Sequence, residues 1–390
     1  MFAGPVKRDN ESEYMQGKLE TSPALPAGKS RYIPTLDGWR TVAIVWVMLG
    51  HIQPWKVGWF SSNSLNAGRG VQLFFALSGL LICNRLLREE QRFGGISLRS
   101  FYTRRFFRIQ PASLLYLAVV SMLMLWGKIR PVWSAVAGSA LMIRSFWPTR
   151  ATNWETAHFW SLAVEEQFYL FLPGFLVMCR RYRLAVLSAL VVAIELWRVV
   201  VMHTPRLQGF SPLVYLRTDA VIGGILLGSV FAVALRHAKV MALAKAYLYP
   251  WVALLYMVLV LIRISFHHSR SDHALEITMY PLLLVSTMLH PESWVSRFLE
   301  LSPMRFVGRI SYSLYLWQQL FFNPLYVPAP GSFRSHALLC WVAVFGCAIA
   351  SYYLIETPLI RYGHRKARKY DLEELETSRT FVSAETAKAQ

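Results

Sequence analysis

Long apolar blocks alternate with short polar, basic stretches along the whole chain. A membrane-crossing helix needs about 20 mostly apolar residues. Blocks of that kind fall at 35–54, 69–88, 109–126, 160–179, 183–202, 213–235, 243–264, 275–290, 307–327 and 335–360. An eleventh block, 132–147, is shorter and carries Arg144 near its end. Loop charge decides whether it crosses, because Lys and Arg gather on the cytoplasmic side. If it does not cross and the N-terminus is inside, the inside loops are the basic ones. Segment 85–108 holds seven arginines, 180–184 holds Arg180, Arg181 and Arg183, and another cluster follows Arg361. If it does cross, the basic loops after it move outside. The pattern therefore predicts an all-α, polytopic membrane helix bundle. It has about ten transmembrane helices, both termini cytoplasmic, and 132–147 as a short re-entrant or interfacial segment.

Composition strengthens this reading. Of 390 residues, 55 % are hydrophobic and 16 % charged, which is too little charge for a soluble chain of this size. Lys plus Arg number 41 against 22 Asp plus Glu, a net charge of +19. In a soluble protein that excess would suggest nucleic acid; here basic loops at an anionic lipid surface explain it, and no nucleic-acid partner is expected. Cys83, Cys179, Cys340 and Cys347 lie in or beside apolar stretches without a CxxC, so free thiols are expected and no metal site. Residues 1–32 read as a disordered cytoplasmic tail with no removable signal peptide, 33–361 as the membrane domain, and 362–390 as a charged cytoplasmic tail, a frayed helix with no appended soluble domain.

Ionisable side chains inside spans are costly, so each is a candidate for function. The first span reads LDGWRTVAIVWVMLGH. Arg40 and His51 are eleven residues apart, about 20° past three full turns, so they share one helix face about 16 Å apart along the axis. Asp37 sits one turn before Arg40 and can pair with it. A purely structural alternative has Arg40 snorkelling and His51 capping the helix. The sequence ISLRSFYTRRFFRI suits an interfacial helix, with Arg104, Arg105 and Arg108 interleaved among aromatics. It either anchors to lipid or clamps a phosphorylated substrate, since arginine matches phosphate in fork geometry. The fourth span opens HFWSLAVEEQFYL. The ten-span topology brings Glu165 to the depth of His51, where a carboxylate would fix the imidazole tautomer. The alternative leaves Glu165 and Glu166 in the interface.

Two smaller clusters, Arg217 with Asp219 and the GRISYSLYLWQ segment with Tyr315 and Gln318, fit substrate contact and helix–helix hydrogen bonding equally. His267 and Asp272 have an H-x4-D spacing, a pairing common by chance, and no metal-ligating set flanks it.

Together these strings resemble the acyltransferase-3 family of membrane O-acyltransferases. LDGWRTVAIVWVMLGH, GVQLFFALSGLLI, ISLRSFYTRRFFRIQPA, HFWSLAVEEQFYL, RTDAVIGGILLG and GRISYSLYLW occur in the family's order across about residues 33–360. The resemblance implies ten core spans and acyl transfer from a thioester, usually acetyl-CoA, to a hydroxyl of a sugar, glycolipid, cell-wall polymer or small metabolite. It implies no bound cofactor beyond that co-substrate. The family's Arg-x10-His falls on Arg40 and His51, its Arg-x-x-Arg on Arg105 and Arg108, and its glutamate on Glu165, less surely Glu166. His51, Glu165 and Arg40 are thus the candidate catalytic residues. Arg105, Arg108 and Arg104 are the candidate donor-binding residues. Asp37, Glu166, Arg217, Asp219, Tyr315 and Gln318 are candidates for acceptor binding or support. Many relatives have histidine where this chain has Gln318. The implied location is the plasma or inner membrane. A transporter or flippase of an acyl donor or lipid-linked sugar is the alternative, although no paired repeats are visible. A multi-span acyltransferase of another type, with His51 alone catalytic, is a third.

Overall fold

The computed structural model describes residues 32–51, 66–146, 154–204, 207, 216–267, 272–322, 333–371 and 373. Residues 1–31 and 374–390, most of the two expected tails, lie outside the described residues. Among those described, regular structure is helical throughout. The order is α1 (Pro34–His51), α2 (Ala67–Phe93), α3 (Leu98–Leu125), α4 (Trp133–Ala140), α5 (Trp154–Ala157), α6 (Phe159–Met178), α7 (Arg183–His203) and α8 (Thr218–Val221). It continues with α9 (Gly223–Ala234), α10 (Ala238–Tyr247), α11 (Pro250–His267), α12 (Asp272–Leu289), α13 (Trp294–Leu299), α14 (Ser302–Arg309), α15 (Ser311–Phe321) and α16 (Phe333–Ser351).

α1 starts on Pro34, which needs no helical N–H, and buries Leu36, Trp39, Ala43, Ile44, Val47 and Met48. Their three- and four-residue spacing makes one apolar stripe. α2 is the centre of the bundle: 72 % of its apolar window is buried, against 17 % for α7 and 17 % for the C-terminal helix. Those two outer helices turn Val192, Leu196, Leu338 and Leu354 outward, a face stable only in lipid. The chain is an all-α membrane helical protein.

The Asn66 side chain caps the start of α2 by accepting from the Gly68 N–H at 2.8 Å. Gly94, at φ 77°, ends the helix in the left-handed conformation that only glycine adopts without cost. Between them lie 27 residues, about 40 Å of helix against about 30 Å of hydrocarbon. The last turns of α2 therefore project past the apolar layer and carry Arg85, Arg88 and Arg92 with them. After a short turn α3 runs 28 residues without a break. The expected separate interfacial helix is not formed: Arg104, Arg105 and Arg108 sit on the same helix that enters the bilayer. Pro111 lies inside α3, where it removes one backbone hydrogen bond, and nearby the Ser113 hydroxyl donates to the Gln110 carbonyl at 2.9 Å.

Several expected spans are interrupted. Block 213–235 contains α8 and α9, and α9 meets α10 at 106°. Block 307–327 breaks at Ile310 between α14 and α15. Within 132–147, α4 has eight residues, about 12 Å, too short to cross. Among the described residues four helices qualify as spans by length and apolarity, or five if the bent α9–α10 pair counts as one. Helices such as α1 need less apolar character because protein rather than lipid surrounds them.

The C-terminal helix continues from α16 through a π-helical turn, Tyr352–Glu356, as far as Asp371. The segment read as a frayed tail is docked where it is described. The Ser100 hydroxyl donates to the Ala367 carbonyl at 2.7 Å, and the Arg99 guanidinium lies 3.7 Å from the Tyr370 ring centre.

α2 and α9 touch backbone to backbone. A Cβ on Gly79 would collide with the Ile225 carbonyl, and one on Gly228 would meet the Ala76 carbonyl. Overpacking at such a contact costs about 1–3 kcal/mol. Gly79→Ala is expected to lower the melting temperature in detergent, whereas Gly346→Ala, whose Cβ meets open space, leaves it unchanged or raises it; thermal unfolding of the two purified variants checks this.

Candidate active site

A cavity of about 780 Å³ is lined by α1, α2, α3, α6, α15 and the C-terminal helix. It reaches from Arg92 and Phe93 at the basic rim to Ser161 and Tyr315 deep in the bundle. Its volume is in the range of small-molecule sites. Seven arginines line it against four carboxylates, Asp37, Glu89, Glu165 and Asp371.

Most of those carboxylates are already engaged. Asp37, buried in the first turn of α1, accepts from Arg40 at 2.6 Å and also from the Tyr32 hydroxyl. The one-turn spacing read from the sequence is realised as an ion pair. Gly308 lets α14 pass against the Asp37 backbone. Glu89 and Asp371 both pair with Arg104, at 2.9 and 3.4 Å. Arg104 is thus a strut joining α2, α3 and the C-terminal helix. Arg85, Arg88, Arg92, Arg105 and Arg108 have no carboxylate within ion-pair distance among the described residues. Arg85 and Arg108 have exposed surface yet are enclosed by protein, so that surface faces the cavity. Arg85 feels the charges of Arg104, Arg105 and Arg108, and Arg108 those of Arg40 and Arg105. Mutually repelling guanidiniums around a void make a site for a polyanion.

Glu165 lines the cavity, and Glu166, about 100° around α6, does not. Glu165 accepts from the Tyr169 hydroxyl at 3.0 Å and lies near Ser78, Arg105 and Arg108. Arg105 in turn stacks 4.5 Å from the Tyr169 ring centre. This corrects one expectation. Glu165 does not share the depth of His51; its partners belong to the basic side of the cavity. From α5 and the turn that leads into α6, the residues at the level of His51 are Trp154 and His158. The Trp154 ring packs edge-on to His51 at 5.6 Å between centres, and His158 lies within electrostatic reach of it. Glu165 is seven residues beyond His158, about 10 Å along the axis.

His51 is the last residue of α1 and does not line the cavity. The Gln318 amide lies beside its ring. Gln318 is fully buried and donates to Gln319 at 3.0 Å. Tyr315, one turn earlier on α15, shares a 2.5 Å hydrogen bond with Ser161 and donates to the His158 carbonyl at 3.1 Å. Arg217 and Asp219 form a two-pronged pair at 3.0 and 2.7 Å that also takes the Trp197 indole N–H. They do not line the cavity. Asp272 pairs with Arg263 at 3.0 Å, and the His267 side chain lies outside the described residues.

Several residues in or beside the cavity are not singled out by the sequence reading. Arg85, Arg88 and Arg92 counted only as loop charge, although their three- and four-residue spacing is a helix face. Tyr169 and His158 stood inside a quoted string without a role. Asp371 and Glu356 belong to the distant C-terminal helix, and Glu356 accepts from the Ser313 hydroxyl. No local signal ties either to the cavity.

The chain is similar to the O-acetyltransferase OatA of Staphylococcus aureus (strain NCTC 8325 / PS 47), 30 % identical over 367 residues, covering 86 % of this chain and 58 % of the relative. It is 28 % identical to the peptidoglycan O-acetyltransferase OatA of Listeria monocytogenes over 367 residues, 85 % and 56 % of the two chains. A candidate O-acetyltransferase of Staphylococcus aureus (strain COL) is 29 % identical over 314 residues, 74 % and 50 % of the two. The chain thus spans about half the length of these relatives. No solved structure matches it significantly. A family model described as an acyltransferase domain matches residues 33–356, so the chain belongs to the acyltransferase-3 family.

Proposed function

We propose that this protein transfers an acyl group, most simply acetyl, from acyl-CoA entering at the basic end to a carbohydrate hydroxyl presented beside His51. The observation that carries the reading is the cationic excess of the cavity. Five arginines without ion-pair partners face a void wide enough for a nucleotide, and the phosphates of coenzyme A supply the missing negative charge. Arg105 and Arg108 bind them, joined by Arg85 and Arg88 from α2. Arg40, held by Asp37, lines the same passage. Arg104, neutralised by Glu89 and Asp371, acts on the donor by holding the rim together. Glu165 and Tyr169 orient Arg105.

The pantetheine arm then runs toward Ser161 and Tyr315, and the thioester carbon meets the acceptor near His51. The acceptor oxygen attacks, His51 takes its proton, and the carbon–sulfur bond breaks. A sugar hydroxyl is a weak nucleophile at neutral pH, and a placed general base contributes about 10²–10⁴-fold. Transfer is direct. A carbohydrate acceptor is supported by the similarity to the Listeria peptidoglycan O-acetyltransferase. The basic end faces the cytoplasm, the source of acyl-CoA, and the membrane is the plasma membrane. The positive-inside pattern of the loops supports that orientation.

The deciding experiment offers labelled acetyl-CoA and cell-wall glycan fragments to the protein in lipid. Ester formation supports the reading; glycan passage across the bilayer without ester formation would replace it with a carrier. His51→Ala is expected to lower kcat about 10²–10⁴-fold with donor binding intact. Arg105→Ala with Arg108→Ala is expected to raise the donor KM about tenfold or more per residue, since a charge-assisted hydrogen bond contributes about 1.5–3 kcal/mol. Arg104→Ala is expected to lower the melting temperature and to change donor KM less than either; titration and thermal unfolding of the same preparations separate the two effects.

A further inference from the structure

The transfer step above uses one imidazole, and the structure buries a second beside it. His158 precedes α6 and is 3 % exposed. The rings of Tyr116, Tyr315 and Phe159 box it in, with centres at 5.3, 5.4 and 4.9 Å. Both of its ring nitrogens lack a hydrogen-bond partner. A histidine kept only for packing normally ties at least one nitrogen to a carbonyl or hydroxyl, because an unmade hydrogen bond in a buried site is costly. The same layer holds two more unpartnered polar atoms, His51 Nδ1 and Gln318 Oε1. Such a group of orphans is where ordered water or a ligand hydroxyl binds.

The arrangement has a direction. Trp154 touches His51, and His158 follows one turn later. Gln318 lies beside His51, and Tyr315, one turn earlier on α15, lies against His158. Tyr315 and Ser161 form the deep end of the cavity. His158, which like His51 does not line the cavity, therefore stands beside both His51 and the Tyr315–Ser161 end of the cavity, where a thioester would arrive.

We propose that His158 is a proton-relay residue connecting His51 to the sulfur of the donor, an inference that rests on the acyl-transfer reading above. As the acceptor oxygen bonds to the acyl carbon, its proton goes to His51. The carbon–sulfur bond breaks and its electron pair stays on sulfur. His51 Nδ1 passes a proton through one bound water to a nitrogen of His158, and the other nitrogen of His158 gives a proton to the thiolate. Alcohol and thioester become ester and thiol, and both imidazoles end neutral. A relay needs two free nitrogens on its middle member, and His158 has both.

The test separates relay from packing. Phenylalanine fills the aromatic box without carrying a proton. His158→Phe is expected to keep the wild-type melting temperature and donor KM and to lose 10²-fold or more in kcat for acetyl transfer. His158→Gln, which hydrogen-bonds but does not pass a proton, is expected to lose a similar factor. His158→Ala is expected to regain part of its rate on addition of free imidazole. Near-wild-type kcat in His158→Phe would reduce His158 to packing. Near-wild-type kcat in His158→Gln would reduce it to a hydrogen-bonding support. If the phenylalanine variant does not fold, the glutamine variant and the imidazole rescue decide. Wild-type protein that forms no ester at all would overturn the acyl-transfer reading, and the relay with it.

Discussion

A guanidinium cannot shed its charge at physiological pH, so inside a membrane bundle it must find a carboxylate, water or an anionic ligand. Several of the described arginines find carboxylates. Arg183 grips Glu90 with both nitrogens at 2.7 and 2.9 Å, Arg217 grips Asp219, and Arg263 meets Asp272. In the cavity, among the described residues, only Arg40 and Arg104 are paired in this way. Arg85, Arg88, Arg92, Arg105 and Arg108 converge there while its acids are spent on Arg40, Arg104 and Tyr169. Charge of one sign gathered around a void is costly to hold unbalanced, and on the proposed reading a polyanionic donor offsets it.

The fold delivers those arginines through helix length and close packing. α2 is long enough to cross and then extend its basic stripe, and Gly94 stops it where the chain must turn into α3. Because α3 is one helix, its arginines are rigid with the span that follows. Glycine contacts seat α2 against α9, and Gly308 seats α14 against α1 at the Asp37 backbone. Arg104 then ties the C-terminal helix to the rim through Asp371.

Depth separates two kinds of chemistry. Glu165, Tyr169 and Arg105 belong to the basic half, to which the proposed reading assigns the donor. His51, Gln318, Trp154 and His158 belong to the far layer, rich in aromatic rings and poor in charge. Tyr315 and Ser161 lie between. On the proposed reading, a thioester reaching that boundary leaves its phosphates behind among arginines and meets a layer of imidazoles and aromatic rings.

What the sequence determined by itself was local. Apolar blocks made the chain an all-α membrane protein, and the i,i+3 spacing of Asp37 and Arg40 made an ion pair. Quoted strings placed it in a family that the comparisons bear out. Spacing within one helix follows from a fixed rise and rotation per residue, so these readings needed no third dimension. Relative depth between helices has no such ruler. It depends on where each helix begins, how far it tilts and whether it breaks. The tertiary structure alone therefore decided that Glu165 faces Arg105 rather than His51. It also decided that Arg104 is neutralised by acids from two other elements, and that His158 stands beside the imidazole of α1. Those pairings join residues tens to hundreds of positions apart, and close packing of whole helices, not the pattern along any one of them, sets which meet.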